Sequence, residues 1–322
     1  MSHKINVAVL RGGPSSEYDV SLKTGSAILE NLPEKYKSHD ILIDKKGVWH
    51  REGMPRTPHK ALQGIDVVIN AMHGEFGEDG KVQQILDGLN IPYTGSKALA
   101  SALAMNKMLS KKTFLEAGLL TPESLYVEVG DDLETDADEI FKNFSMPVVI
   151  KPNSTGSSVG VSIARDFDSL LAGLIEASKV SNKILIEEYI QGDEATCGVI
   201  EKFRDQDMYA LLPIEIIPPA KSGFFSKEVK YNGETREICP GNFDQETTEA
   251  LQEMSVAAHK ALGLRHYSRS DFMISPKGIY ILETNSLPGL TPQSLLPKSL
   301  VAVGATFPDF LDHLIGLALE TV

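Results

Sequence analysis

Residues 269–285 have the sequence RSDFMISPKGIYILETN, in which two runs of strand-forming residues flank Pro-Lys-Gly at positions 276–278. The pattern predicts a β-hairpin with a three-residue loop, because glycine readily adopts the positive φ that such loops need. In this register two pairs of residues face each other across the strands: Asp271 with Glu283, and Arg269 with Asn285. Side chains alternate between the faces of a strand, so all four would project from the same side.

The opposed carboxylates of Asp271 and Glu283 require an explanation, since two negative charges ~4 Å apart repel by roughly 4 kcal/mol at an effective dielectric constant of ~20. A cation between them would remove this repulsion. Asp271, Glu283 and Asn285 offer only oxygen ligands, which suit magnesium bound to phosphate oxygens better than zinc. We therefore predict a metal and nucleotide site; the alternative is an exposed strand end whose polar side chains only meet water.

Length and composition limit the classes of protein to consider. The chain has 322 residues, a formal net charge of −13 and two cysteines, Cys197 and Cys239. This length favours two or three domains, and two distant cysteines argue against a disulfide framework or a thiolate metal site. The negative charge disfavours binding to nucleic acid or to an anionic membrane. Because no export signal or membrane-spanning run is recognisable, we expect a cytoplasmic protein.

The patterns of strands and helices predict an α/β part followed by an α+β part. The buried strands Ile5–Leu10 and Asp66–Met72 each precede a helical pattern, which indicates a mostly parallel sheet. Residues 96–117 form one helical pattern, and from Met146 onward short strands alternate with polar turns, as in an antiparallel sheet. We predict three domains, at residues 1–95, 96–186 and 187–322, with a lid loop at 217–241.

A loop of small residues follows a predicted strand in VVIKPNSTGSSVGVSIA, residues 148–164. It places Lys151 at the strand end and lets backbone N–H groups approach an anion closely, as in a phosphate-binding loop. The same stretch matches G-x-S-x-G, the nucleophile turn of serine hydrolases, with Ser158 at its centre. That motif requires a helix after the turn, whereas VGVSIA continues as a strand, so we prefer the phosphate loop.

Six blocks of sequence occur in a characteristic order: HGEFGEDG (73–80), KPNSTGSSVG (151–160), EEYIQGDE (187–194), KY (230–231), RSD (269–271) and ETNSLPGLTPQSL (283–295). Together they resemble the D-alanine–D-alanine ligase family. The resemblance implies an ATP-grasp fold with an N-terminal Rossmann-like domain. It also implies ligation of two D-alanines through an acyl phosphate, for peptidoglycan precursor synthesis, by a homodimer that uses ATP and two magnesium or manganese ions.

The resemblance also implies roles for individual residues. For ATP these are Lys107, Lys151 and Lys230 at the phosphates, Glu187 and the Ile190 backbone at the adenine, and Glu194 at the ribose. For the metals they are Asp271, Glu283 and Asn285. For the first D-alanine they are Glu17 at its ammonium and His73 at its carboxylate, with Ser157 and Tyr231 hydrogen-bonded to Glu17. For the second D-alanine they are Ser294 and the Leu295 amide, with Arg269 and the Gly289 N–H as oxyanion donors.

Alternative functions remain open, both among ATP-dependent ligases and in another class of protein. Tyrosine at position 231 favours an amino-acid acceptor over D-lactate, but a D-alanine–D-serine ligase or another ATP-dependent carboxylate–amine ligase is compatible with the same motifs. A noncatalytic nucleotide-binding regulator is the alternative from another class. Tyr18 and Asp19, beside Glu17, depart from the usual family pattern and affect expectations for the first amino-acid subsite.

Overall fold

The computed structural model describes residues 4–130, 132–153, 160–219 and 235–320. Its first sheet contains five strands: β1 (Ile5–Gly12), β2 (Tyr36–Ile43), β3 (Trp49–Arg51), β4 (Met54–Arg56) and β5 (Val67–Asn70), in the order β4-β3-β2-β1-β5. Strand β1 is parallel to β2 and β5, whereas β3 and β4 are antiparallel additions at one edge. The helices of this part are α1 (Tyr18–Asn31), α2 (Pro58–Ala61) and α3 (Lys81–Gly88). The predicted parallel sheet is therefore confirmed.

The helical pattern at residues 96–117 forms two helices, α4 (Ala98–Met105) and α5 (Lys107–Glu116), rather than the predicted single one. The break lies at Asn106, whose backbone is extended and whose side chain accepts a hydrogen bond from the Leu109 N–H at 3.1 Å. Asparagine is a preferred N-cap residue because its side-chain oxygen satisfies a helix N–H that has no intrahelical partner. Helix α5 therefore begins at Lys107.

The second sheet is antiparallel and contains β6 (Ser124–Glu128), β7 (Val148–Pro152), β8 (Ser162–Ala164) and β9 (Lys183–Glu188), in the order β6-β9-β7-β8. Helices α6 (Leu133–Asn143) and α7 (Phe167–Ser178) cover its apolar side. Strands β7 and β8 pair with each other, so a strand follows the small-residue loop and the strand–turn–helix of a serine hydrolase is not formed. Ser157 and Ser158 themselves lie outside the described residues.

The third sheet is also antiparallel and contains β10 (Asp193–Phe203), β11 (Gln206–Ala210), β12 (Ile214–Ile217), β13 (Arg236–Ile238), β14 (Tyr267–Ser275) and β15 (Gly278–Asn285). Its order is β13-β12-β10-β14-β15, with β11 also paired to β10. Helices α8 (Gln245–Ala261), α9 (Leu295–Ala302) and α10 (Phe307–Glu320) complete this part. Strand β13 pairs with β12 and lies within the predicted lid loop 217–241, so that segment is not a loop throughout.

Strands β14 and β15 form the predicted hairpin, but its loop is shorter than expected. Ser275 pairs with Gly278, which leaves two loop residues instead of three. A β-bulge after Asp271 places one extra residue, Leu282, on β15 and compensates for the shorter loop. Asp271 therefore still faces Glu283, and the pair formed by residues 269 and 285 is also as predicted.

Apolar packing joins the first and third sheets. Phe310 and Leu314 of α10 share one core cluster with Val7 of β1 and Tyr267 of β14. Helices α4 and α5, which we assigned to the middle domain, pack against the third sheet in another cluster. The predicted limit at residue 186 falls within β9, and the division into three domains stays a proposal.

No single helix in the described ranges is long and apolar enough to span a membrane. Helices α9 and α10 reach the required length and composition only when taken together across a bend of 105°. Most of their apolar side chains, including Leu300 and Phe310, belong to the buried core, whereas Val301 is exposed.

Candidate active site

Asp271 is the centre of a hydrogen-bonded cluster at the open end of the β14–β15 hairpin. Arg269 donates from Nε and Nη2 to the two carboxylate oxygens of Asp271, each at 2.9 Å. Thr196 Oγ1 donates to Oδ1 at 2.6 Å, and Asn285 Nδ2 donates to Oδ2 at 3.2 Å. Burial lowers the pKa of Arg269, but the adjacent Asp271 carboxylate more than offsets this, so that the pKa lies above its usual value. The guanidinium is therefore charged and held in a fixed orientation.

The cations beside the opposed carboxylates come from the chain itself. Arg269 pairs with Asp271, and Lys107 Nζ lies 3.8 Å from Glu283 Oε2. The repulsion between the two acids therefore does not by itself require a metal ion, and the metal site stays a prediction.

The donor set nevertheless fits a hard cation. Asp271 and Glu283 supply carboxylate oxygens on one face, Asn285 supplies an amide oxygen, and Glu283 is 38% exposed and so accessible to a ligand. Within the described ranges no group of three or more His, Cys, Asp and Glu side chains forms a metal cage. Two carboxylates and an amide suit magnesium, which keeps several waters and takes phosphate oxygens from a substrate.

The Glu187 side chain lies between two lysines and is almost completely buried. Its Oε1 pairs with Lys111 Nζ at 2.6 Å and its Oε2 pairs with Lys151 Nζ, while its own side chain is 2% exposed. Burial alone would raise the pKa of Glu187, but the charges of Lys151 and Lys111 outweigh it and lower the pKa to about 2. Glu187 is therefore a carboxylate, and its predicted contact with adenine would have to coexist with both ion pairs.

Lys151 connects this buried group to the acidic hairpin. Burial lowers the pKa of Lys151, but the charges of Glu187, Glu283 and Glu194 together raise it above its usual value. Glu194 is the second residue of β10 and pairs with residues of β12 and β14, and Ile190 lies in the short connection between β9 and β10. The predicted ATP residues of the described ranges therefore lie on α5, on the second and third sheets, and on the connection between these sheets.

Asn153 fixes the N-terminus of α5 at the end of β7. Its carbonyl accepts from the Lys107 N–H at 3.1 Å, and its side-chain oxygen accepts from the Met108 N–H at 3.0 Å. These two hydrogen bonds place the Lys107 side chain beside the hairpin.

The predicted first amino-acid subsite is built around Gly74. A Cβ at this position would lie 2.7 Å from Glu17 Oε2 and 2.8 Å from Ser15 Oγ, and the residue has φ of +69°. Only glycine allows this close approach without strain. Ser15 Oγ also accepts from the Glu17 N–H at 2.9 Å and donates to the His73 carbonyl at 2.8 Å. The structure therefore brings Glu17 close to the segment after β5, and the roles of Glu17 and His73 that the resemblance implied stay predictions.

His73 is buried between Thr24 and Glu78. Its Nε2 lies 2.9 Å from Thr24 Oγ1 and its Nδ1 lies 3.2 Å from Glu78 Oε1. Burial lowers the pKa of His73, but Glu78 and then Glu17 raise it above the usual value. The charge of Glu78 also raises the pKa of Arg269, so this subsite lies within electrostatic reach of the acidic hairpin.

The predicted second subsite lies where β15 leads into α9. A Cβ on Gly289 would approach Ser294 Oγ to 2.8 Å, and Ser294 Oγ accepts from the Thr291 N–H at 3.2 Å. Ser294 is the N-cap residue of α9 but makes no side-chain cap hydrogen bond, and Leu295 is the first helical residue. The first N–H groups of a helix have no intrahelical acceptor and favour an anion. The arrangement can therefore bind a carboxylate.

Sequence reasoning missed several residues of the site, including Lys111, Glu78 and Thr196. Lys111 follows Lys107 by four residues on the same helix face, and Glu78 stands within the quoted HGEFGEDG, so both could have been found. Thr196 gives no local signal, because only the pairing of β10 with β14 brings it opposite Asp271. Ser157, Lys230 and Tyr231, which we predicted as site residues, lie outside the described residues.

Comparison with known proteins assigns the chain to a family. The family model described as D-ala D-ala ligase N-terminus matches residues 6–58 and 50–96, and the one described as D-ala D-ala ligase C-terminus matches residues 114–316. A D-alanine–D-alanine ligase of Syntrophobacter fumaroxidans is 40% identical over 322 residues, which cover 99% of each chain. The chain belongs to the D-alanine–D-alanine ligase family. A ligase of Halalkalibacterium halodurans is 36% identical over 323 residues, 98% of this chain and 100% of the relative.

Solved structures of the family confirm the ATP-grasp fold. The D-alanine–D-alanine ligase of Bacillus anthracis complexed with ATP superposes with a TM-score of 0.81 at 33% identity, covering 99% of this chain and 98% of the other. The VanG D-Ala:D-Ser ligase of Enterococcus faecalis superposes with a TM-score of 0.84 at 30% identity, covering 98% and 100%. The resemblance seen in the six sequence blocks is thereby confirmed.

Proposed function

We propose that this chain joins two D-alanines into D-alanyl-D-alanine, with release of ADP and phosphate, as a step in peptidoglycan precursor synthesis. The observation that carries the proposal is the convergence of Lys107 and Lys151, from two different elements, on the carboxylate face of the β14–β15 hairpin. Two ammonium groups beside carboxylates suit a polyphosphate that binds together with magnesium. Membership of the ligase family supports the same function.

The first half of the reaction activates the carboxylate of one D-alanine. A free carboxylate is a poor acylating agent, so the γ-phosphoryl group of ATP is first transferred to it and an acyl phosphate forms. Such transfer depends on positioning and on charge stabilisation. The negative substrate repels the triphosphate, and the ammonium groups of Lys107 and Lys151 would offset that repulsion.

The first D-alanine would be held by Glu17 and His73. The Glu17 carboxylate can accept hydrogen bonds from the substrate ammonium. Burial lowers the pKa of His73, but Glu78 and then Glu17 raise it above its usual value. Because both ring nitrogens contact Thr24 and Glu78, a protonated imidazole would form a charge pair with the substrate carboxylate without a hydrogen bond of its own. We propose that this pairing orients the carboxylate towards the nucleotide.

The second half of the reaction forms the amide bond. The amine of the second D-alanine attacks the acyl phosphate, and negative charge develops on the former carbonyl oxygen. Arg269, whose orientation is fixed by two hydrogen bonds to Asp271, and the Gly289 N–H would stabilise that charge. The carboxylate of the second D-alanine would bind at Ser294 and the N-terminus of α9.

We also propose that Asp271, Glu283 and Asn285 hold two magnesium or manganese ions. When bound, these ions would neutralise charge on the phosphate oxygens and on the transferred group. The oxygen donors on one face of the hairpin support this part of the proposal.

A D-alanine–D-serine ligase is the second candidate, because a D-Ala:D-Ser ligase superposes well on this chain. To separate the candidates, the protein would be incubated with ATP, magnesium, D-alanine and one added acceptor at a time, with mass detection of the dipeptide and coupled detection of ADP. We expect D-alanyl-D-alanine as the main product. Strong preference for D-serine would favour the second candidate, and ATP binding without any dipeptide would favour a regulator.

The proposal includes a location and an assembly. The reaction consumes ATP, so we place it in the cytoplasm. We also propose that the protein forms a homodimer, and only the resemblance to the family supports this part of the proposal. Sedimentation equilibrium of the purified protein would give the mass of the assembly, and a monomer at micromolar concentration would contradict the dimer.

A further inference from the structure

Lys111 has no role in the reaction described above, yet it is one of the least exposed charged residues of the site. Its side chain is 4% exposed, and its Nζ contacts Glu187 Oε1 at 2.6 Å and Thr121 Oγ1 at 2.8 Å. Burial lowers the pKa of Lys111. A buried ammonium group is energetically costly unless it is paired. Here it is paired with the Glu187 carboxylate of β9 and hydrogen-bonded to the Thr121 hydroxyl. Neither of these two contacts is made to Lys151.

Glu187 has one oxygen on each lysine, so the group carries two positive charges and one negative charge. The two lysines differ in accessibility: the side chain of Lys151 is 16% exposed, against 4% for Lys111. An approaching anion would therefore meet Lys151. Lys151 is the last residue but one of β7, whereas Lys111 lies on α5 and is buried.

We infer that Lys111 is a positioning residue for Lys151: it is the permanent counter-ion of Glu187, and it allows Lys151 to leave Glu187 for the phosphates of the nucleotide. This inference rests on the proposed use of ATP. With Lys111 in place, Glu187 keeps one ion pair when Lys151 moves. Without Lys111, the same movement leaves a buried carboxylate with no counter-ion, and breaking a buried pair in this way is strongly unfavourable.

The test measures nucleotide binding by isothermal titration calorimetry with ATP and with adenosine, which lacks phosphates. For Lys111→Met we expect the Kd for ATP to rise about tenfold while the Kd for adenosine changes less than about twofold. Lys111→Arg keeps the charge and should stay within about threefold of the wild type for ATP. The matched control is Lys112→Met, an exposed lysine on the same helix, which should change neither Kd.

A second variant separates positioning from a structural role. In Glu187→Gln the side chain no longer holds Lys151 by charge, so adding Lys111→Met should change the Kd for ATP by less than about twofold relative to Glu187→Gln alone. The double variant has no carboxylate at position 187, so no buried negative charge loses its counter-ion. It can therefore be measured even if Lys111→Met alone does not fold. Equal weakening of ATP and adenosine by Lys111→Met, or full persistence of its effect in the Glu187→Gln background, would overturn the inference.

Failure of the inference differs from failure of the proposed function. If wild-type protein binds ATP and makes dipeptide but Lys111→Met behaves like Lys112→Met, only the inference fails. If the wild type makes no dipeptide from ATP and D-alanine, the proposed function fails first. Dipeptide yield of the wild type is therefore measured in the same series.

Discussion

His266 is a buried imidazole where residues 93–96 meet the third sheet, and it predicts a specific dependence of stability on pH. It is 1% exposed, has φ of +69°, and accepts a hydrogen bond at Nδ1 from the Gly95 N–H at 3.1 Å. The neighbouring Arg265 donates to the carbonyls of Gly95 and Tyr93, each at 3.0 Å. Burial, and then the positive charge of Arg265, lower the pKa of His266 to about 3. This junction therefore requires a neutral imidazole.

The direction and size of the effect follow from the two pKa values. Above pH of about 6.5 both the folded and the unfolded chain carry a neutral imidazole, and this residue gives no pH dependence. Below that pH the unfolded chain takes up a proton, whereas the folded chain does so only near pH of about 3, so stability is lost as the pH falls. At pH 5, about 1.5 pH units below the unfolded pKa, the loss from His266 is about 2 kcal/mol.

Urea denaturation at about pH 7.5 and about pH 5 would measure this loss for the wild type and for His266→Asn. Asparagine tolerates positive φ and can accept the Gly95 hydrogen bond through its amide oxygen. The variant should lose about 2 kcal/mol less than the wild type between the two pH values, because other titrating groups are common to both proteins. His59→Asn, at an exposed position, is the control. An equal loss in His266→Asn and the wild type would refute the reasoning.

Three further variants test individual contacts. Gly74→Ala would force a Cβ against Glu17. In a steady-state assay of ADP release, the KM for D-alanine should rise about tenfold while the KM for ATP stays unchanged. Equal changes in the two KM values would contradict this prediction. Arg269→Lys keeps the charge but loses the two-point contact with Asp271, so kcat should fall about 100-fold in the same assay; an unchanged kcat would contradict it. Phe114→Ala removes a fully buried ring between α5 and the third sheet and should lower the free energy of unfolding by about 3–5 kcal/mol in urea; a loss under about 1 kcal/mol would contradict it.

The sequence carried much of the fold because alternation and helical spacing are local signals. The hairpin at residues 269–285 was predicted with the correct opposition of Asp271 and Glu283. Its loop length was wrong by one residue, and the bulge at Leu282 made up the difference. The position of a bulge depends on how the two strands pair, so the residues of one strand do not predict it. The break at Asn106 was missed although asparagine is a common N-cap.

The candidate site was predicted less completely, because its electrostatics depend on contacts between distant segments. The sequence identified Lys151 and Glu187 as separate ATP residues, but not that they form one buried group with Lys111. It also did not show that Arg269 pairs with Asp271 and so reduces the repulsion for which we invoked a metal ion. Ion pairs between a helix and two strands become visible only once the tertiary packing is known.

The central claim is that the acidic face of the β14–β15 hairpin organises the nucleotide for ligation, and one measurement tests it most directly. Mass detection of D-alanyl-D-alanine would compare the wild type with the double variant Asp271→Asn, Glu283→Gln at saturating ATP, magnesium and D-alanine. We expect synthesis to fall about 1,000-fold or more while the circular dichroism spectrum is preserved. The control Glu116→Gln, Asp138→Asn changes two exposed acids and should retain full synthesis. Undiminished dipeptide synthesis by the hairpin variant would contradict the claim.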